Sequence, residues 1–121
     1  MKIAIIGYGY WGPNLVRNFN NTPGCEVAYI FDLNEKALNR ANKTFPDIQL
    51  VSDYNKVLQD KSIEAVAIAT PVFTHFKLAK QAMMHDKHVL LEKPMTASVL
   101  EATELIEISK SRGLTLSLIH I

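Results

Sequence analysis

Gly7, Gly9 and Gly12 stand at G-x-G-x-x-G spacing in GYGYWG, directly behind the apolar run MKIAII. Glycines so spaced can cradle a pyrophosphate when they leave a strand and open a helix. The first allows the tight turn out of the strand. A side chain at the second would block the approach of a phosphate to the backbone. The third lets the helix pack closely on the sheet. A helix starting here would offer unpaired N–H groups and a partial positive charge to the phosphates. Pro13, near its start, has no N–H to leave unpaired. Asp32 lies twenty residues beyond Gly12, at the end of the next strand-like run. A carboxylate there accepts hydrogen bonds from ribose hydroxyls and repels a 2′-phosphate. Leu33 and Asn34 follow it without an arginine to pair that phosphate, so the reading is NAD, with NADP disfavoured. Lys36 and Arg40 stand nearby and weaken that exclusion. Each feature has a plainer reading alone: a bare strand-to-helix turn, or an aspartate capping the next helix. Their combination specifies a dinucleotide.

Two more stretches carry chemistry: TPVFTH at 70–75 and LEKPM at 91–95. Both follow strand-like runs, and in an open α/β sheet ligands bind beyond the carboxyl ends of the strands. Lys93 is either an ammonium facing that crevice or an ordinary solvated lysine. His75 is either part of the site or a polar residue in a first helical turn. Tyr10 and Trp11, at the variable loop positions, either line the cofactor or pack against the sheet.

Positioning these residues takes a regular scaffold, and the hydrophobic pattern supplies one. Strands are expected over 2–6, 26–31, 48–51, 65–69, 89–91 and 114–118. Between them, apolar residues recur at helical spacing: Leu15, Val16, Phe19; Ala37, Leu38, Ala41, Phe45; Val57, Leu58; Leu78, Ala79, Ala82, Met83; Leu105, Ile106, Ile108. Asn34, Ser52 or Asp53, Thr74 and Ser98 are the expected helix caps, Ser98 forming a capping box with Glu101. Pro46 stops the second helix and Gly113 follows the last one. Strict alternation predicts an α/β, doubly wound parallel sheet, a Rossmann fold of about six strands with helices on both faces.

The fingerprint GYGYWG, Asp32, the T-P-x-x-x-H stretch and E-K-P together resemble the Gfo/Idh/MocA family, the glucose–fructose oxidoreductase and inositol dehydrogenase relatives, over essentially the whole chain. The resemblance implies an NAD(P)-dependent oxidoreductase moving a hydride between a carbinol carbon and the nicotinamide. It implies a sugar, cyclitol or nucleotide-sugar substrate; GYGYWGPN is similar to members serving surface-polysaccharide and nucleotide-sugar metabolism. It gives Lys93 a catalytic place near the nicotinamide ribose and the substrate hydroxyl, with Glu92 bonding that ribose or steadying Lys93. It implies a cis peptide before Pro94 that fixes how Lys93 points. It sets Thr70 and Pro71 beside the nicotinamide and His75 at the start of the next helix. The expected cofactor contacts are then Gly7, Gly9, Tyr10, Trp11, Gly12, Asp32, Leu33, Thr70, Pro71, His75, Glu92, Lys93 and Pro94.

The family continues into a second α/β domain that supplies most of the substrate pocket. Residues 1–121 correspond to the dinucleotide-binding domain alone, so the expectation is cofactor binding with little turnover, and self-association through an exposed apolar edge at 114–121. His120 is not a substitute for the family's proton-transferring histidine. A free-standing NAD-binding module is the competing reading; the retained Glu92-Lys93-Pro94 favours enzyme origin. A short-chain dehydrogenase would want Tyr-x-x-x-Lys, and a methyltransferase would not carry T-P-x-x-x-H followed by E-K-P.

Composition agrees with one globular domain: 121 residues, 48% hydrophobic, 21% charged. A net charge of +1 without a basic cluster gives no nucleic-acid footprint. Cys25 is the one cysteine, no segment approaches a membrane span, and the apolar run after Lys2 is too short for a signal peptide. These features point to the cytoplasm. His85, His88 and His120 show no metal spacing with one another or with Cys25, so no metal is assigned.

Overall fold

The computed structural model describes residues 1–119; His120, discounted above as a catalytic group, and Ile121 lie outside them. Six strands alternate with five α-helices: β1 (Lys2–Ile6), α1 (Gly12–Asn20), β2 (Glu26–Phe31), α2 (Glu35–Thr44), β3 (Gln49–Val51), α3 (Tyr54–Gln59), β4 (Ile63–Ile68), α4 (His75–Met84), β5 (His88–Glu92), α5 (Val99–Arg112) and β6 (Leu116–Ile119). The strands form one sheet in the order β3-β2-β1-β4-β5-β6, and every pairing is parallel. The doubly wound fold read from the sequence is therefore present.

Covering both faces of a parallel sheet demands strands apolar on both sides. Ile3, Ala4, Ile5 and Ile6 of the central β1 are all at most 1% exposed. Ile3 and Ile5 join Leu15 and Val16 of α1 and Ala37 and Ala41 of α2 in one layer. Ala4 and Ile6 join Val57, Ala79, Met83 and Leu105, from α3, α4 and α5, in the other. Each buried isoleucine contributes roughly 1.5–3 kcal/mol.

The caps behave mostly as expected. Asn34 accepts from the N–H groups of Lys36 and Ala37, Asp53 from Asn55, and Ser98 from Glu101. Gly113 ends α5 in the left-handed region, at φ 66°. Thr74 is the exception. It precedes α4, but its hydroxyl donates to Pro71 O at 2.6 Å, and a short 3₁₀ turn over Val72–Thr74 leads into the helix. Of the apolar residues noted in α5, Leu105 is fully buried while Ile106 is 38% exposed. The last strand begins later than the pattern suggested, because Leu114 N–H bonds back to Ser109 O at the helix end.

At the amino edge of the sheet, far from the loops discussed next, Lys87 is buried. Its Nζ donates to Asp60 O at 2.8 Å and Ile63 O at 2.9 Å. Burial pushes its pKa down. The Asp60 carboxylate accepts from Ser62 and from the Tyr29 hydroxyl, which hold its pKa down to about 2. No helix among the described residues is long and apolar enough to cross a membrane.

Candidate cofactor site

The strand order reverses between β1 and β4, and the crevice beyond their carboxyl ends is the switch point of the fold. Gly7 leaves β1 at φ 100°, a conformation that side chains rarely adopt. A Cβ there would also sit 2.8 Å from Thr70 Cγ2, so the loops after β1 and β4 touch at this glycine. Gly9 is different. A Cβ on it would meet no atom within 4 Å, and its backbone faces open space, as a cradle for a phosphate requires. Gly12 departs from the expected reason: a Cβ there would lie 2.8 Å from Tyr8 Cδ1, so it makes room for the Tyr8 ring rather than for the sheet. Tyr8 is 2% exposed, its hydroxyl has no hydrogen-bond partner among the described residues, and burial pushes its pKa up.

Helix α1 begins at this loop with Trp11 in the N-cap position, no side-chain cap and no acidic residue in its first turn. Gly12 N–H is taken by Gly9 O at 3.1 Å, Pro13 has none and Leu15 N–H bonds to Trp11 O, so Asn14 N–H is the first-turn donor left to an anion. Tyr10 and Trp11 do not pack on the sheet. They are 86% and 41% exposed and stack edge to face, ring centroids 4.8 Å apart, at the rim of the loop.

Asp32 ends β2 half-buried and bridges two loops. Oδ2 accepts from Tyr8 N–H at 2.8 Å, and Oδ1 accepts from Asn34 N–H at 2.8 Å. Asn34, not Asp32, caps α2. A carboxylate offers about four acceptor sites, so two hydrogen bonds leave capacity for ribose hydroxyls. Asp32, Leu33, Thr70 and Pro71 line a cleft of about 870 Å³ together with Phe73 and Lys77, whose place the sequence reading had not assigned. Phe73, 78% exposed, stood inside the quoted TPVFTH stretch; its exposure in a loop between strand and helix was the missing signal. Gly9 and Tyr10 line a smaller cleft of about 500 Å³, to which Arg40 of α2 adds a guanidinium. Glu92, Lys93 and Pro94 line neither cleft.

The E-K-P stretch continues from β5, with a cis peptide between Lys93 and Pro94. Lys93 is exposed and Glu92 half-buried. His75, expected at the cofactor, is instead 1% exposed beneath the loops. Its Nδ1 lies 3.1 Å from both Pro94 O and Met95 O, and its Nε2 lies 2.8 Å from Thr70 O. The Thr74 hydroxyl is committed to Pro71 O, so the 2.6 Å contact with Thr70 has Thr70 Oγ1 donating. Among the described residues no group of three His, Cys, Asp or Glu side chains converges as metal ligands would.

The residues present fit a dinucleotide: open backbone at Gly9, an uncapped helix start and a carboxylate with free acceptor sites. Known proteins agree. The family described as "Oxidoreductase family, NAD-binding Rossmann fold" matches residues 1–120. The uncharacterized oxidoreductase YdgJ of Escherichia coli is 35% identical over 99% of this chain and 34% of its own length. IolW of Bacillus subtilis, named as a scyllo-inositol 2-dehydrogenase (NADP(+)), is 28% identical over 99% of this chain and 33% of its own. The crystal structure of an NAD-binding protein from Listeria innocua superposes with a TM-score of 0.91 at 28% identity, over 97% of this chain and 34% of that one. The chain spans about a third of the length of each of these relatives. It belongs to the Gfo/Idh/MocA oxidoreductase family, of which it is the NAD(P)-binding Rossmann domain.

Proposed function

We propose that this chain binds NAD in preference to NADP and forms the cofactor half of a cytoplasmic dehydrogenase acting on a hydroxyl of a sugar, cyclitol or nucleotide sugar. The observation that carries the cofactor choice is Asp32, a carboxylate with spare acceptor sites at the mouth of the cleft where β2 ends. Ribose hydroxyls donate to it, whereas a 2′-phosphate would meet its charge. Arg40, beside Gly9 and Tyr10, moderates the preference without reversing it. IolW, a named inositol dehydrogenase, supports the substrate class.

Bound nicotinamide supplies the hydride acceptor. The chain's own residues hold and orient. Gly9 and the start of α1 take the pyrophosphate, Leu33 flanks the adenosine end, and Thr70 and Pro71 border the far side. Lys93, exposed beyond β5, orients the substrate hydroxyl with its ammonium and stabilises the oxygen as the proton passes to solvent and the hydride leaves; Glu92 bonds the nicotinamide ribose. Nothing here walls off Lys93 from solvent, so orientation of the substrate and exclusion of water fall to the part of the relatives that this chain does not match. Calorimetry with NAD and NADP tests the reading. NAD should bind at least about tenfold more tightly, the worth of one or two charge-assisted hydrogen bonds. Equal or tighter binding of NADP overturns it.

A further inference from the structure

We propose that His75 is a positioning residue that sets the place of Lys93 by fastening the loop after β4 to the loop after β5. The role of Lys93 rests on the function proposed above; the fastening itself does not.

The ring is 1% exposed, too deeply buried to touch a bound dinucleotide. Three backbone carbonyls from two loops converge on it: Thr70 on the Nε2 side, Pro94 and Met95 on the Nδ1 side. Carbonyl oxygens only accept, so every bond formed has the ring as donor. The β4–β5 ladder ends at the pair Ile68–Leu91. Within residues 69–74 and 93–98, the side-chain hydrogen bonds stay inside one loop, as from Thr74 to Pro71 and from Thr96 to Ser98, so the ties from His75 are the ones that join the two loops; the next tie, Lys80 to Glu104 at 2.8 Å, joins α4 to α5. Lys93 is thus bracketed. Glu92 before it pairs with Ile119 of β6, and Pro94 and Met95 after it lean on the imidazole. The ring has a firm base, because His75 opens α4, whose Ala79, Ala82 and Met83 are fully buried.

Two isosteric substitutions separate the two sides of the ring. The amide of Asn falls where Nδ1 was, and that of Gln where Nε2 was. His75→Asn should keep the hold on Pro94 and Met95; His75→Gln should keep only that on Thr70. In ¹⁵N–¹H spectra of the unliganded chain, the Lys93 and Met95 amides should move in His75→Gln and stay in His75→Asn, while Gly9 and Asp32 stay in both. In the unmutated chain a ring N–H of His75 should exchange slowly with water. Equal displacement of Lys93 in both variants, no displacement in His75→Gln, or a fast-exchanging ring proton overturns the proposal. These readouts need no cofactor, so they judge His75 even if the chain binds no dinucleotide. A second readout separates positioning from mere stability. The ratio of NADH to ADP-ribose affinity should fall about tenfold in His75→Gln, with ADP-ribose affinity unchanged. A ratio that holds in a folded variant places Lys93 outside the influence of His75.

Discussion

Asp32 and His75 each bridge two loops at the carboxyl edge of the sheet, one from a half-open position and the other sealed beneath the surface. Asp32 holds backbone N–H groups and keeps acceptor sites for a ligand. His75 has backbone carbonyls against both ring nitrogens and presents neither to a ligand. The same structural task therefore leaves one residue able to bind a ligand and the other able only to hold loops that bind it. A short polar side chain on a strand end stays wet; an aromatic one on the inward face of a helix does not.

Substitutions can pull the two kinds of residue apart. The largest effect is expected at Gly9, which on the proposed reading serves the ligand and not the fold. The Cβ of Gly9→Val meets no protein atom within 4 Å, so thermal unfolding should be nearly unchanged while NADH binding falls by roughly 100-fold or more through loss of backbone contacts to the phosphates. Gly7 is its counterpart: Gly7→Ala, strained at φ 100° and crowded by Thr70, should cost about 1–3 kcal/mol in denaturant unfolding. Next comes Asp32→Ser, which should narrow or reverse the preference for NADH over NADPH by about tenfold in a binding titration. If the preference held, the selector would lie elsewhere, with Arg40 as the first residue to test.

A smaller effect belongs to the opposite edge of the sheet, where Asp60 takes up hydrogen bonds with no ligand in prospect. Its folded pKa is lowered to about 2 by Ser62 and Tyr29, below that of an unfolded aspartate. A lowered carboxylate stabilises the fold above the unfolded value, and that contribution disappears as pH falls from about 4 towards 2. Asp60→Asn should flatten this acid limb of the stability curve, and an unchanged limb would remove Asp60 from the account. The smallest expected effect is at the edge strand β6, where Leu118 is 40% exposed. Leu118→Lys should reduce any concentration-dependent light scattering.

What the sequence made legible was whatever depends on local spacing. GYGYWG and Asp32 fall where a strand, a turn and a helix start must put them, and the apolar runs mark all six strands. Boundaries moved where tertiary hydrogen bonds decided them. Residues 114 and 115 look strand-like, yet Leu114 N–H closes the end of α5. Thr74 looks like a cap, yet its hydroxyl is already committed to Pro71. Gly12 was assigned to helix–sheet packing because nothing local announces that Tyr8 folds back over it. His75 carried a readable sign that went unused. It shares the i, i+4, i+7, i+8 spacing of Ala79, Ala82 and Met83, which places it on the buried face of α4. What it binds there could not be read, because Pro94 and Met95 come to it from another loop.

The most direct test of the cradle uses Trp11, the only tryptophan, exposed at the start of α1. NADH and NADPH would be titrated into the folded chain while Trp11 fluorescence is followed, with Gly9→Val as the matched control. The account predicts saturable quenching by NADH at lower concentration than by NADPH, and none in Gly9→Val. An unresponsive wild-type chain, or quenching that survives in Gly9→Val, would contradict it.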